Sequence, residues 1–192
     1  MNYNEMIIAY IQKEIKVLEL LDVNAIELAI RALCEVLETE KNVYTFGNGG
    51  SAATASHFAN DFNKGVSEFS TKKFRFICLN DNMATVMAIA NDIGYEEVFR
   101  SQLDGRIKPG DLVIAISGSG NSPNIIKAVQ YAREQGNKII GITGYDGGEL
   151  KRISDISLHV PVEDMQITED VHMIFDHLMM SVISATLAGD NR

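Results

Sequence analysis

The sequence predicts an α/β fold, in which a doubly wound parallel sheet is covered by helices on both faces. Two observations support this class. Short apolar runs such as DLVIAIS (Asp111–Ser117) and KIIGIT (Lys138–Thr143) are typical of strands buried on both faces of a parallel sheet. An amphipathic segment, Asn124–Gln135, separates them and ends at Gly136, a common helix stop. Strand, helix and strand joined by short loops indicate parallel pairing.

Two helices are expected before the first strand, over residues 4–20 and 24–39. Apolar side chains recur at helical spacing in the first of them, among them Met6, Ile7, Tyr10 and Ile15. We interpret this segment as a packing or oligomerisation element. The whole chain, residues 1–192, is expected to form one domain, with a helical segment over 1–40 and an α/β core over 41–192.

The remaining elements alternate along the chain. Strands are predicted at 43–47, 74–79, 111–117, 138–143 and 156–160. Helices are predicted at 51–63, 83–92, 95–103, 124–135, 149–153 and 168–187. The polar, lysine-bearing segment 63–73 is expected to be the least ordered.

Composition excludes several classes of function. The net charge of −9 argues against non-specific binding to nucleic acid or to anionic membranes. The two cysteines, Cys34 and Cys78, form no CxxC pair and are expected to be free thiols. The N-terminus lacks the basic region of a signal peptide, and no uninterrupted apolar run reaches the length of about 18 residues that a membrane span needs. We therefore expect a cytoplasmic protein with no membrane or nucleic-acid partner.

Two loops are candidate anion-binding sites, because each follows a strand and leads into a helix N-terminus. They are Gly47–Ser51 (GNGGS) and Ser117–Asn124 (SGSGNSPN). Neither contains the GK[ST] of a P-loop or opens a GxGxxG dinucleotide motif. The second loop offers hydroxyl donors and close backbone approach, although turn residues and a helix cap would have the same composition. A phosphosugar is thus a better candidate ligand than a nucleotide.

Histidines and carboxylates occur at helical spacing on two helices. His57 and Asp61 are four residues apart, and Glu169 and His177 are eight apart, so each pair shares a helix face. Such groups could bind a divalent metal or act as an acid–base pair, and the spacing alone does not decide between them. His172 could be either a site or a core residue, and His159 is expected to be structural.

Four segments together resemble a known family: FGNGGSAATASHFANDF, AISGSGNSPNIIKAV, TGYDGGEL and EDVHMIFDHL. The resemblance is to the sugar isomerase (SIS) domain family, most closely to the phosphoheptose isomerases, and it covers about residues 1–188. It implies a flavodoxin-like sheet and a homotetramer with active sites at subunit interfaces. The implied reaction converts sedoheptulose 7-phosphate into D-glycero-D-manno-heptose 7-phosphate, on the way to lipopolysaccharide or capsule heptose.

The resemblance also implies the substrate-binding residues. The substrate loop would comprise Asn48, Gly49, Gly50 and Ser51; Asn91 and Asp92 would contact substrate; and the phosphate loop would comprise Ser117, Gly118, Ser119 and Ser122. Gly118 stands where the family usually has a threonine.

One Zn²⁺ per subunit is implied, with His57, Asp61, Glu169 and His177 as ligands, and Asp61 and His177 would be catalytic. Asp61 stands where the family has a glutamate, and Glu169, also expected to contact substrate, stands where it has a glutamine. We interpret these departures as a re-tuned site, with another phosphosugar as the alternative substrate. The alternative is a non-catalytic phosphosugar-binding SIS protein, a sensor or a scaffold of the initiator-associating type.

Overall fold

A computed structural model describes residues 2–190 and contains one five-stranded parallel sheet. The strands are β1 (Asn42–Gly47), β2 (Arg75–Cys78), β3 (Leu112–Ser117), β4 (Lys138–Thr143) and β5 (Ile156–His159). Their order across the sheet is β2-β1-β3-β4-β5, with every neighbouring pair parallel. This is the flavodoxin-like order, and the chain reverses its direction of winding between β1 and β3. The predicted fold class is confirmed.

Eight α-helices accompany the sheet within residues 2–190. They are α1 (Tyr3–Leu18), α2 (Val23–Glu38), α3 (Gly50–Asn60), α4 (Met83–Asp92), α5 (Arg100–Leu103), α6 (Pro123–Glu134), α7 (Gly148–Ile153) and α8 (Met165–Asp190). A π-helical turn, Asp61–Gly65, continues α3 and is followed by a 3-10 turn, Val66–Phe69.

The core has two layers because the central strands alternate their side chains between the two faces of the sheet. Ile114 and Ile116 of β3 face α2, α3 and α8, whereas Val113 and Ala115 face the other apolar cluster, which includes residues of α5, α6 and α7. All six residues of β3 are buried, as expected for a strand covered on both faces.

Segment 63–73 is more regular than the sequence predicts. It contains most of the two helical turns that follow α3, and Asn63 is bonded to strand β2: its side chain donates to Phe76 O at 3.0 Å and accepts from Phe76 N at 2.8 Å. The Lys73 ammonium donates to the carbonyls of Ser67 and Ser70. Backbone partners from within the segment and from β2 thus compensate for its polar composition.

Helix α8 is apolar and long enough, by length and composition, to cross a membrane over Met165–Gly189. It packs against α2, α3 and β4, and its stripe of Ile167, Val171, Phe175 and Met179 is buried there. One face of α8 therefore packs on the core, as in an amphipathic helix of a globular fold.

Two other helices have unpaired apolar faces. Helix α1 buries only Val17, and α4 buries none of its residues. Large apolar side chains on these helices are exposed: Tyr3, Met6, Ile7, Ile8, Tyr10, Ile11, Ile15, Met83 and Met87. Polar contacts connect α1 to the α8 region, since Tyr10 donates to Asp170 and Lys13 pairs with Asp164. Extended exposed apolar faces of this kind mark interaction surfaces.

Candidate active site

The two predicted anion-binding loops lie side by side, because they follow the neighbouring strands β1 and β3. Between them is a cavity of about 170 Å³. It is lined by Asn48, Ser51, Ile116, Ser117, Gly118, Ser119, Ser122, Met165 and Glu169. The cavity therefore lies at the carboxyl edge of the sheet where the winding reverses, the usual ligand position in this architecture.

The first loop depends on its glycines. Gly49 precedes α3 with φ +56° and ψ −122°, a conformation that residues with a side chain rarely adopt. A Cβ at Gly50 would overlap the carboxylate of Glu169. The sharp turn leaves the first amides of α3 next to the cavity, where a helix N-terminus favours an anion.

A reciprocal amide pair holds the two loops together. Asn48 Nδ2 donates to Asn124 Oδ1, and Asn124 Nδ2 donates to Asn48 Oδ1, both at 2.9 Å. The Tyr95 hydroxyl also donates to Asn48 Oδ1 at 2.9 Å. We did not predict roles for Asn124 and Tyr95, because their partners are distant in sequence.

The serine loop is supported by the TGYDGGEL segment. Leu150 N donates to Gly120 O at 2.9 Å, and Gly144 N donates to Gly118 O at 2.8 Å. Gly120 has φ +66°, and a Cβ there would overlap the carbonyl oxygen of Gly147. Within the loop, the Ser117 and Ser122 hydroxyl oxygens are 3.2 Å apart. The backbone therefore fixes the hydroxyls at the cavity.

A second cluster combines imidazoles and carboxylates from α3, the π turn and α8. It contains His57, Asp61, Asp176 and His177, whose candidate ligand atoms all lie within 4.8 Å of one another. The two Nε2 atoms are 3.1 Å apart. Asp61 Oδ2 is 3.4 Å from His57 Nε2 and 3.8 Å from His177 Nε2. The other oxygen of Asp61 accepts from the Asn60 side chain at 3.0 Å, which orients the carboxylate.

Burial divides this cluster into an inner and an outer part. The side chains of His57 and His177 are 40% and 56% exposed, whereas those of Asp61 and Asp176 are 13% and 0% exposed. Burial, and then the nearby Asp61 carboxylate, raises the pKa of Asp176 to about 8. The cluster thus presents imidazoles outward and holds carboxylates inside.

The residues of this cluster fit a divalent metal. Two ligands of one tetrahedral zinc, at bond lengths near 2.0–2.1 Å, are about 3.3 Å apart. The separations of 3.1 Å between the imidazole nitrogens and 3.4 Å between His57 and Asp61 are close to that value. Imidazole and carboxylate are also ligands that zinc accepts.

Several predicted site residues lie away from this cluster. Glu169 lines the serine-loop cavity and packs against Gly50, and its role as a metal ligand stays a prediction. Asn91 and Asp92 are exposed at the end of α4 and bonded to each other at 2.8 Å.

The two remaining histidines lie in the protein interior. His172 is fully buried, and burial lowers its pKa to about 4, so the ring stays neutral. His159 Nδ1 is 3.1 Å from the Thr143 hydroxyl, on the neighbouring strand. Neither belongs to the group of four described above.

Sequence reasoning missed Asp176. A signal existed, since this aspartate lies within the apolar segment MIFDHLMM of a core helix. A carboxylate in such a segment is rarely buried without a partner or a function.

Comparison with known proteins agrees with this geometry. The profile of the SIS domain matches residues 7–144, which is more than half of the chain. The chain belongs to the SIS domain family. Among curated SIS relatives, the phosphoheptose isomerase of Aliarcobacter butzleri is 38% identical over 163 residues, covering 85% of this chain and 86% of that protein. The phosphoheptose isomerase of Trichlorobacter lovleyi is 39% identical over 165 residues, covering 85% and 82%.

Solved SIS structures have the same fold. A phosphoheptose isomerase from Neisseria gonorrhoeae superposes with a TM-score of 0.88 at 29% identity, covering 96% of this chain and all of that one. The similarity therefore extends beyond the matched profile and covers nearly the whole chain.

Proposed function

We propose that this SIS-domain protein is an aldose–ketose isomerase, converting sedoheptulose 7-phosphate into D-glycero-D-manno-heptose 7-phosphate through an enediol. One observation carries the proposal: a phosphate-type cavity and a histidine–carboxylate cluster are connected by the same two helices. Ser51 and Glu169 line the cavity, and His57 and His177 lie farther along α3 and α8. The phosphoheptose isomerase relatives at 38–39% identity support the reaction class.

The spacing suits a long sugar phosphate. Ser51 and His57 are six residues apart on α3, a rise of about 9 Å. An extended heptose 7-phosphate, with bonds of about 1.5 Å that each advance the chain by about 1.25 Å, separates its phosphorus from carbons 2 and 1 by roughly 9 to 10 Å. Phosphate held at the serine loop would therefore present the carbonyl end to the histidine–carboxylate cluster.

The chain supplies groups for each proton transfer. Ser117, Ser119 and Ser122 donate to phosphate and fix the distance of the reacting carbons. Asp61, whose oriented carboxylate is partly accessible, removes the proton from carbon and returns it to the adjacent carbon. His177, which is exposed beside it, moves the proton between the two oxygens.

The proposed cofactor is one Zn²⁺ per subunit, held by His57, Asp61, His177 and a fourth ligand, for which the resemblance implies Glu169. When bound, zinc polarises the substrate carbonyl and stabilises the negative charge of the enediolate. Metal binding and proton transfer both require the carboxylate of Asp61, so a substitution of this residue should affect both.

We further propose a cytoplasmic homotetramer with active sites at subunit interfaces, in which the whole chain acts as one domain and residues 1–40 assist assembly. The support is the exposed apolar face of α1, the absence of any buried residue in α4, and the exposure of both imidazoles. A neighbouring subunit covering these surfaces would bury the apolar area and enclose the histidines.

Proton exchange followed by NMR tests the function. Full-length protein is incubated with sedoheptulose 7-phosphate in D₂O, with and without zinc. We expect deuterium at the carbon next to the carbonyl together with aldose product, because the enediol exchanges its proton with solvent through the catalytic base. The Asp61→Asn variant, which keeps the size but removes the basicity, should show neither.

A matched control is Glu163→Gln, which removes an exposed carboxylate outside the site and should exchange as fast as the wild type. If a panel of ketose phosphates binds but none exchanges, the chain is a phosphosugar sensor or scaffold and the isomerase proposal is wrong. Exchange with a different sugar only would identify a re-tuned isomerase.

A further inference from the structure

We infer that the carboxylate of Asp176 is the fourth protein ligand of the divalent metal held by His57, Asp61 and His177. The inference rests on the proposed metal site, but it does not depend on which sugar is the substrate. The geometry of this chain assigns the fourth ligand to Asp176, whereas the resemblance to the family implies Glu169.

The first support is that Asp176 is buried with its polar atoms unsatisfied. Its exposed fraction is 0%, and within the described chain neither carboxylate oxygen has a hydrogen-bond partner. Buried polar groups nearly always have partners, and a buried carboxyl group without one lowers the stability of the folded state. A cation at the cluster would provide the missing partner.

The second support is the orientation of the Asp176 carboxyl group, which faces the other three ligands. Asp176 Oδ2 lies 4.0 Å from His57 Nε2, and its ligand atom belongs to the set within 4.8 Å of Asp61 and His177. The carboxylate therefore points into the cluster from the core side, opposite the exposed imidazoles. Two imidazoles and two carboxylates form a set of four ligands whose charge balances a divalent ion.

The position of Glu169 favours the same conclusion. Glu169 is eight positions from His177, a rise of about 12 Å along α8, whereas Asp176 is adjacent to His177. Glu169 also packs against Gly50 and lines the serine-loop cavity. Within one chain, Asp176 is therefore the carboxylate of α8 that lies at the imidazoles.

Metal binding measured without substrate tests the inference. Full-length protein is stripped with a chelator, and zinc affinity is measured by competition with a chromophoric chelator. We expect Asp176→Asn and Asp176→Leu to weaken zinc binding by about tenfold or more, a loss at least as large as that seen for residues that only support ligands. Cobalt bound to Asp176→Asn should show altered visible bands, because a ligand has changed.

Thermal unfolding gives a second readout, in which the same substitution should stabilise the metal-free protein while it weakens metal binding. The chelator-treated Asp176→Leu protein should unfold at a higher temperature than the chelator-treated wild type, because a buried carboxyl group without a hydrogen-bond partner has been replaced by an apolar side chain. Added zinc should raise its unfolding temperature less than that of the wild type. The Glu163→Gln control should match the wild type in both measurements.

Unchanged zinc affinity and unchanged cobalt bands in both Asp176 variants would overturn the inference. A wild-type protein that binds no zinc or cobalt would also overturn it, together with the proposed metal. The isomerase proposal would survive either result, since proton exchange is measured separately on the sugar.

Discussion

The serine-loop cavity and the histidine–carboxylate cluster differ in how complete they are within one chain. The cavity is held by bonds that the chain makes to itself, such as the Asn48–Asn124 pair at 2.9 Å and the backbone contacts of Gly118 and Gly120. The cluster contains two imidazoles open to solvent and Asp176, a buried carboxylate without a hydrogen-bond partner in the described chain.

The cavity is therefore preorganised by the chain itself, whereas the cluster depends on further components. A cavity of hydroxyls, amides and helix N-termini needs no further component to receive an anion. A cluster with exposed imidazoles and a buried carboxyl group that lacks a partner needs a cation inside and a covering surface outside before its polar groups are satisfied. Removing one part should therefore leave the other intact, which makes the comparison testable.

The largest expected effect comes from His177→Ala. We expect the rate of isomerisation to fall by about 10²- to 10⁴-fold, the usual contribution of a positioned acid or base. Binding of inorganic phosphate, followed by calorimetry, should not change, because the serine loop makes no contact with this imidazole. A loss of phosphate binding in this variant would show that the two parts are not independent.

The next largest effect is on the pH dependence of stability, and it tests whether His172 lies outside the metal cluster. The ring is neutral in the folded protein, with a pKa of about 4, whereas an unfolded histidine has a pKa near 6.5. The unfolded state therefore binds the extra proton between these values, and the contribution of His172 to stability is lost as the pH falls from 6.5 towards 4.

Compared with His172→Leu, the wild type should lose roughly 3 kcal/mol of unfolding free energy over that range. Urea titrations at several pH values measure the difference. Zinc affinity should be equal in the two proteins, and a weaker affinity in His172→Leu would assign this histidine to the metal site instead.

The smallest effect is expected from Ser119→Ala in the cavity. Losing one hydroxyl donor to a phosphate dianion should raise KM by roughly tenfold, because hydrogen bonds to charged groups contribute about 1.5–3 kcal/mol. Zinc content and kcat should not change. Ser70→Ala, which removes a partly buried hydroxyl just after the 3-10 turn and outside the cavity, is the matched control and should leave KM at the wild-type value.

Sequence could predict the elements that depend on local patterns. The strand at 138–143 and the helix at 83–92 coincide with their predicted bounds, because apolar periodicity and turn residues define them locally. The predicted helix 95–103 is instead a 3-10 turn at Tyr95–Glu97 and a short helix at Arg100–Leu103.

Contacts between distant segments were not predictable in the same way. The bond from Tyr95 to Asn48 joins residues 47 positions apart, and the approach of Asp176 to His57 depends on how α8 lies across α3. A single sequence contains no measure of such crossings. The resemblance to a family supplied His57 and His177, but it could not supply Asp176, for which it implied no role.

The charge of the cavity has a consequence for the encounter with substrate. None of the described residues that line it is a lysine or an arginine, Glu169 is acidic, and the chain as a whole has a net charge of −9. A sugar phosphate dianion therefore diffuses towards the protein against a repulsive field and is attracted only at contact, by hydroxyls and amides. Shortening the Debye length from about 30 Å in 0.01 M salt to about 8 Å in 0.15 M salt should speed its capture, the reverse of the slowing seen with electrostatically steered ligands.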